Sequence, residues 1–217
     1  MNDFRGGFEY RLLVSPEFKP EGNVVLKRKS REYMVEAGGF SKGGFKVMTQ
    51  NIYDNDEFFK GYGQLNRSVQ GLDGAPEWPS LRAMLPNIEG RRILDLGCGF
   101  GWFCRFARQH GAGSVLGVDV SEKMLARGKA ETKDPLITYR KADLEQLELN
   151  AGAFDLVFSS LVFHYIEKLD RLMAEVHKSL LPGGHFVFSV EHPIYTAPKV
   201  PGWFKHAEGH RIWPVDG

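Results

Sequence analysis

From residue 91 onward, short apolar runs alternate with segments whose apolar residues recur every three or four positions. RRILDLG predicts a strand and GWFCRFARQHG a helix stopped at Gly111. SVLGVDV predicts a second strand, and SEKMLARGKAE a helix capped by Ser121 with Glu122 in its first turn. ITYRKAD reads as a third strand. FDLVFSSL is apolar almost throughout, as a strand covered on both faces is. In KLDRLMAEVHKSL, Leu169, Leu172, Met173, Val176 and Leu180 form one helical stripe, and PGG then turns the chain into HFVFSV, a fifth strand. This alternation implies an α/β fold, an open and mostly parallel sheet with helices on both faces and right-handed crossovers. Ligands of such sheets bind beyond the carboxyl ends of the strands, near the switch point. The turn after the first strand and the residues ending strands two, three and four should therefore share one rim.

The pattern is different upstream. Residues 51–86 suggest two helices divided by the turn GLDGAP, with Asn51 or Asp54 as the first cap and Pro79 and Ser80 near the start of the second. Residues 1–47 carry nine Lys and Arg against six acids, including the cluster KRKSR, and contain β-like runs (FEYRLLV, NVVLKR) with no clear unit. We divide the chain into a basic, glycine-containing extension (1–47), a helical N-terminal cap segment (48–90) and the α/β core (91–217). Recognisable patterning begins just after Met48, a candidate natural start.

Composition narrows the function classes. The chain has 217 residues, a formal net charge of +1 and 42% hydrophobic residues, enough for one domain with its own core. So balanced a charge gives no argument for a nucleic-acid partner, and no basic face with interleaved aromatics marks one. No run of 18 apolar residues predicts a membrane span, and the N-terminus lacks the apolar stretch of a secretory signal. The two cysteines, Cys98 and Cys104, have no metal-ligand spacing and read as small buried hydrophobes in a reducing compartment, so a cytoplasmic location is expected. His206 and His210 stand four apart, but Gly209 argues against the helix that would pair them, and no metal site is expected.

The glycine turn carries the chemistry. A dinucleotide fingerprint has the spacing G-x-G-x-x-G, whereas Gly97, Gly99 and Gly101 give G-x-G-x-G, with Trp102 where a small residue would be needed. Asp95, just inside the strand end, would also be ill placed beside two phosphates. A nicotinamide-dependent oxidoreductase is therefore disfavoured.

LDLGCGFGWF resembles the first motif of the class I S-adenosylmethionine-dependent methyltransferases. GVDVSEKMLARGK resembles their second-strand motif, KADLEQL the third, and the stretch from FDLVFSSL to HFVFS the region from strand four to strand five. The wording is most similar to the methyltransferase type-11 group, and the resemblance covers residues 51–195. It implies a Rossmann-like fold, S-adenosyl-L-methionine as cofactor and a small-molecule methyl acceptor. It further implies that Gly97, Gly99 and Gly101 let the backbone pass close to the cofactor's methionine part and that Asp95 orients the turn. Asp119 would accept the ribose hydroxyls and Asp143 the adenine amino group, with Met124 and Leu144 packed on the base. At Ser159 the backbone would hold the cofactor's amino-acid end, and Tyr53 or Tyr62 would cover the sulfonium.

Methyl transfer needs mainly alignment, and a base only if the acceptor is protonated. His164, just past strand four, is the candidate base by position and pKa range, although a packing histidine fits equally. Tyr62, Arg67, Glu191, His192 and Tyr195 are candidates for the acceptor pocket. Members of the resembled group continue past the fifth strand with a helix and an antiparallel strand pair, which this sequence lacks. Unless the β-like runs of 1–47 replace those elements, strand five is expected to present an unpaired edge, inviting a homo-oligomer. A catalytically inert cofactor-binding module or partner subunit is the alternative function.

Overall fold

The computed structural model describes residues 51–192 in full, residues 208–209, and the backbone of five short strands elsewhere. These five are β1 (Arg11–Ser15), β2 (Lys27–Lys29), β3 (Glu32–Met34), β9 (Phe204–Lys205) and β10 (Arg211–Ile212). The core strands are β4 (Arg92–Leu96), β5 (Ser114–Asp119), β6 (Ile137–Lys141), β7 (Phe154–Ser160) and β8 (Leu180–Glu191). The helices are α1 (Asp56–Tyr62), α2 (Asn66–Val69), α3 (Trp78–Met84), α4 (Trp102–Gln109), α5 (Glu122–Glu131) and α6 (Leu169–Ser179).

The five core strands form an all-parallel sheet, as the alternation of periods predicts, in the order β8-β7-β4-β5-β6. The chain steps outward from β4 to β6, then returns to β4's other side as β7. The switch point therefore lies between β4 and β7, where the glycine turn leaves β4. The edge at β8 is not left bare. β1 pairs with it in parallel, Arg11 opposite Val187 through Ser15 opposite Glu191. This corrects the expected unpaired edge: the apolar run RLLVS within the N-terminal extension supplies a sixth strand. Among the described residues no antiparallel strand joins this sheet; two antiparallel pairs, β2 with β3 and β9 with β10, form separate two-stranded sheets.

Alternation along β4 assigns its side chains to two cores. Leu94 and Leu96 pack with Val118, Leu172 and Val176 on the α6 side. Ile93 packs on the other side with Trp78, Leu81, Phe103 and Phe158, where the Phe103 ring stacks on Phe158 at 3.6 Å between centroids. Asp95 shares that second face and is buried.

The leading segment departs from expectation. Three short helices replace two, because Gly63 ends α1 and α2 is only one turn, while GLDG forms a 3-10 turn. Asn55 caps α1, accepting from Phe58 N at 3.0 Å. Asp54 does something else. Its carboxylate accepts the Ser121 hydroxyl at 2.6 Å and the backbone N–H of Lys123 at 3.2 Å. Ser121 in turn caps α5 through Met124 N, as its sequence predicts. Asp54 thus ties the leading segment to the N-terminus of α5, where exposed N–H groups favour an anion.

Candidate functional site

β4 opens into a turn whose three glycines are all left-handed, with φ of +72° at Gly97, +51° at Gly99 and +73° at Gly101. Their surroundings differ. A Cβ on Gly97 would stand 2.2 Å from Val162, and one on Gly101 2.0 Å from the Tyr139 hydroxyl, whereas a Cβ on Gly99 would meet nothing within 4 Å. Gly97 and Gly99 line the cavity described below and Gly101 does not. Gly101 is required by the packing of α4's first turn over β6.

The turn is fixed from the neighbouring strand. Gly97 and Cys98 both donate backbone N–H groups to Val118 O, at 2.8 and 3.0 Å. Asp119 accepts Gly99 N at 2.8 Å through Oδ2 and Ser121 N at 2.9 Å through Oδ1. Asp119, rather than Asp95, orients the glycines, which corrects the expectation for Asp95. The Asp95 carboxylate accepts the Cys104 thiol at 3.2 Å instead, and burial pushes it up to about 7. Cys98 and Cys104 are both buried free thiols.

A cavity of about 110 Å³ opens over the carboxyl ends of β4, β5 and β7. Asp119, Met124 and Leu144 line it on one flank. Tyr53, Tyr62 and Arg67 of the leading segment line it from above, and His164 and Glu191 close the other flank. Five candidates stand back from it. Asp95 is buried beneath the turn, Gly101 ends the turn at the start of α4, and Ser159 is buried with its hydroxyl donated to Leu96 O at 2.8 Å. Ser160 and Leu161 occupy the place expected of Ser159. Asp143 accepts Glu145 N at 2.9 Å at the end of β6, next to the lining Leu144. His192 is exposed, and Tyr195, His206 and His210 lie outside the described residues.

Tyr53 sits edge-on to Tyr62 at 5.3 Å and to Tyr165 at 6.4 Å between ring centroids. Burial pushes Tyr62 up to about 12 and Tyr53 well above its ordinary value, so neither phenol ionises near neutrality. Arg67 is not a surface arginine. Its guanidinium pairs with Glu77 at 2.9 Å, and Glu77, itself buried, also accepts the Ser160 hydroxyl at 3.2 Å.

Burial pushes His164 down to about 4 and Glu191 above the ordinary carboxylate value. Burial keeps the imidazole neutral at physiological pH, so the 3.9 Å approach of His164 Nε2 to the Glu191 carboxylate is not an ion pair. Glu191 N donates to His164 Nδ1 at 3.5 Å, which leaves the ring proton on Nε2, facing the carboxylate.

The lining also includes Val120, Val162, Tyr165 and Ile166, which the sequence reading missed. Their signal was positional: Val120 directly follows β5, and Val162, Tyr165 and Ile166 lie within six residues of the end of β7. Leu161 adopts φ +56°, uncommon for a leucine, and its N–H is held by Ser189 O at 3.0 Å. Among the described residues no three His, Cys, Asp or Glu side chains converge as a metal site, and no helix is long and apolar enough to cross a membrane.

A parallel sheet with a left-handed glycine turn at its switch point, and a carboxylate ending the adjacent strand, defines a nucleoside-binding α/β protein. Comparison with known proteins narrows this. The family model described as a methyltransferase domain, type 11, matches residues 94–188. An S-adenosylmethionine-dependent methyltransferase from Mesorhizobium loti, solved by crystallography, is 63% identical with a TM-score of 0.64, covering 67% of each chain. A Haemophilus influenzae protein is 35% identical over 74% of this chain and 63% of its own length. A malonyl-[acyl-carrier protein] O-methyltransferase from Enterobacter lignolyticus is 36% identical over 51% of this chain and 43% of its own. The chain belongs to the S-adenosylmethionine-dependent methyltransferases, and its central part is similar to the type-11 model. It spans less than two thirds of the length of either curated relative.

Proposed function

We propose that this protein binds S-adenosylmethionine and transfers its methyl group to a small-molecule acceptor. One observation carries the reading. The Asp119 carboxylate faces the cavity while it holds the glycine turn through Gly99 N. Its oxygens accept the backbone N–H groups of Gly99 and Ser121, and a carboxylate's further lone pairs suit the ribose hydroxyls. The surroundings fit the cofactor. Gly99 presents open space where a side chain would intrude, and Leu144 and Met124 offer an apolar bed for the base. Asp143 stands at the rim beside Leu144 and takes the adenine amino group. Gly97 and the backbone after Ser159 carry the amino-acid end, with Arg67 opposite its carboxylate. Tyr53 and Tyr62, in the 48–90 segment that caps the cavity, present rings that favour a cation.

When bound, the cofactor supplies a methyl group already activated by a sulfonium. The chain's own residues bind, align the acceptor and exclude water, effects worth up to ~7–11 kcal/mol in such displacements. Calorimetric titration tests the reading. S-adenosylmethionine and adenosylhomocysteine should bind and NAD should not. Asp119→Ala should weaken binding by at least about 100-fold, since two hydrogen bonds to a charged group are lost. Retention of NAD in place of the adenosyl ligands would overturn it.

A further inference from the structure

Charge around the cavity is uneven. Its described charged lining residues are Arg67, Asp119 and Glu191. Arg67 is matched by the buried Glu77 at 2.9 Å, and Asp119 belongs to the glycine turn. Glu191, at the far end, has no Lys or Arg within ion-pair range among the described residues. Its ionisable neighbour among the described residues is His164, at 3.9 Å, and that imidazole is neutral at physiological pH. Two carboxylates therefore face a cofactor whose own charges (sulfonium, amino group and carboxylate) sum to +1. One negative charge is left over, at the end away from the ribose site.

His164 is also unsuited to the base role assigned it by position. Its Nδ1 lone pair points to Glu191 N, and its Nε2 proton faces the Glu191 carboxylate. The ring holds Glu191 and offers the cavity no free lone pair. Beside it the Tyr165 ring lies 4.1 Å from the imidazole between centroids and edge-on to Tyr53. Aromatic walls with a carboxylate at one end are a recognition site for an organic cation.

Resting on the S-adenosylmethionine reading above, we infer that the acceptor is an amine that enters as its ammonium ion, and that Glu191, oriented by His164, binds it and takes its proton. In that step an N–H bond breaks and an O–H bond forms on Glu191, leaving on nitrogen the lone pair that methyl transfer needs. The proton then passes to solvent. The elevated proton affinity that burial gives Glu191 serves this step.

The test needs no knowledge of the natural acceptor. Protein saturated with adenosylhomocysteine is titrated with benzylammonium, benzyl alcohol and benzoate, which share shape and differ in charge. Benzylammonium should bind at least about 10-fold more tightly than the alcohol, with benzoate weakest, and Glu191→Gln should abolish the preference without changing adenosylhomocysteine affinity. His164→Ala should shrink the preference, and His164→Gln, which can still accept from Glu191 N, should restore part of it. Equal or tighter binding of the alcohol or benzoate, as a hydroxyl or carboxyl acceptor would produce, overturns the inference. So does a preference that survives Glu191→Gln, or no benzylammonium binding at all. Failure of adenosylhomocysteine to bind in the first step would count instead against the cofactor reading.

Discussion

At the scale of single residues, the glycine turn separates two requirements that one motif presents together. Gly101→Ala combines a left-handed backbone with a Cβ driven into the Tyr139 hydroxyl, and should cost on the order of 2–4 kcal/mol in denaturant unfolding. Gly99→Ala meets open space and should cost only about 1–2 kcal/mol, while its methyl group intrudes on the cavity and lowers adenosylhomocysteine affinity. A second residue prediction concerns acid. His164 titrates near 6.5 when unfolded and near 4 when folded, so below 6.5 the unfolded chain takes the proton first. Stability should fall by on the order of 3 kcal/mol as pH drops through that window. His164→Gln should make this part of the decline shallower. Residue roles were only partly legible in the sequence. Gly101 looked like a ligand-contacting glycine because spacing does not show which side of a turn is packed. Asp95 and Asp119 are both strand-end acids, and only the register of β4 against β5 decides which one reaches the turn.

At the scale of elements, the α/β alternation was readable because each strand and helix buries its own side chains at its own period. Ser121 capping α5 and Gly111 ending α4 are local in sequence and were equally plain. Asp54 was not. Its partners lie 67 and 69 residues away, so the pattern around it pointed to its own helix, which Asn55 caps instead. Asp54→Ala should cost about 1 kcal/mol and make the leading segment more susceptible to limited proteolysis. Hydrogen bonds from Ser121 and the α5 backbone hold Asp54 below the ordinary carboxylate value against the opposing effect of burial. Its stabilising contribution is therefore complete above the ordinary carboxylate range and disappears as acid carries the solution down through its depressed folded value.

For the whole molecule, the sheet's extent depends on the segment that looked least organised. β1 is only five residues long and sits 165 residues before the start of its partner strand, so no local pattern could announce the pairing. It occupies the edge of the sheet beside β8. Removal of residues 1–47 should bare the backbone of β8, lower the thermal midpoint and raise light scattering on warming. A truncated chain as stable and as monodisperse as the full one would refute the role of that strand.

The bridge from Asp54 to the start of α5 has a mechanical corollary. Ser121, which donates its hydroxyl to Asp54, also donates its backbone N–H to Asp119, so the roof over the pocket and the carboxylate that holds the glycine turn are anchored on one residue. Whatever tightens the floor must also steady the roof, and amide exchange at residues 122–124 should slow as adenosylhomocysteine is added.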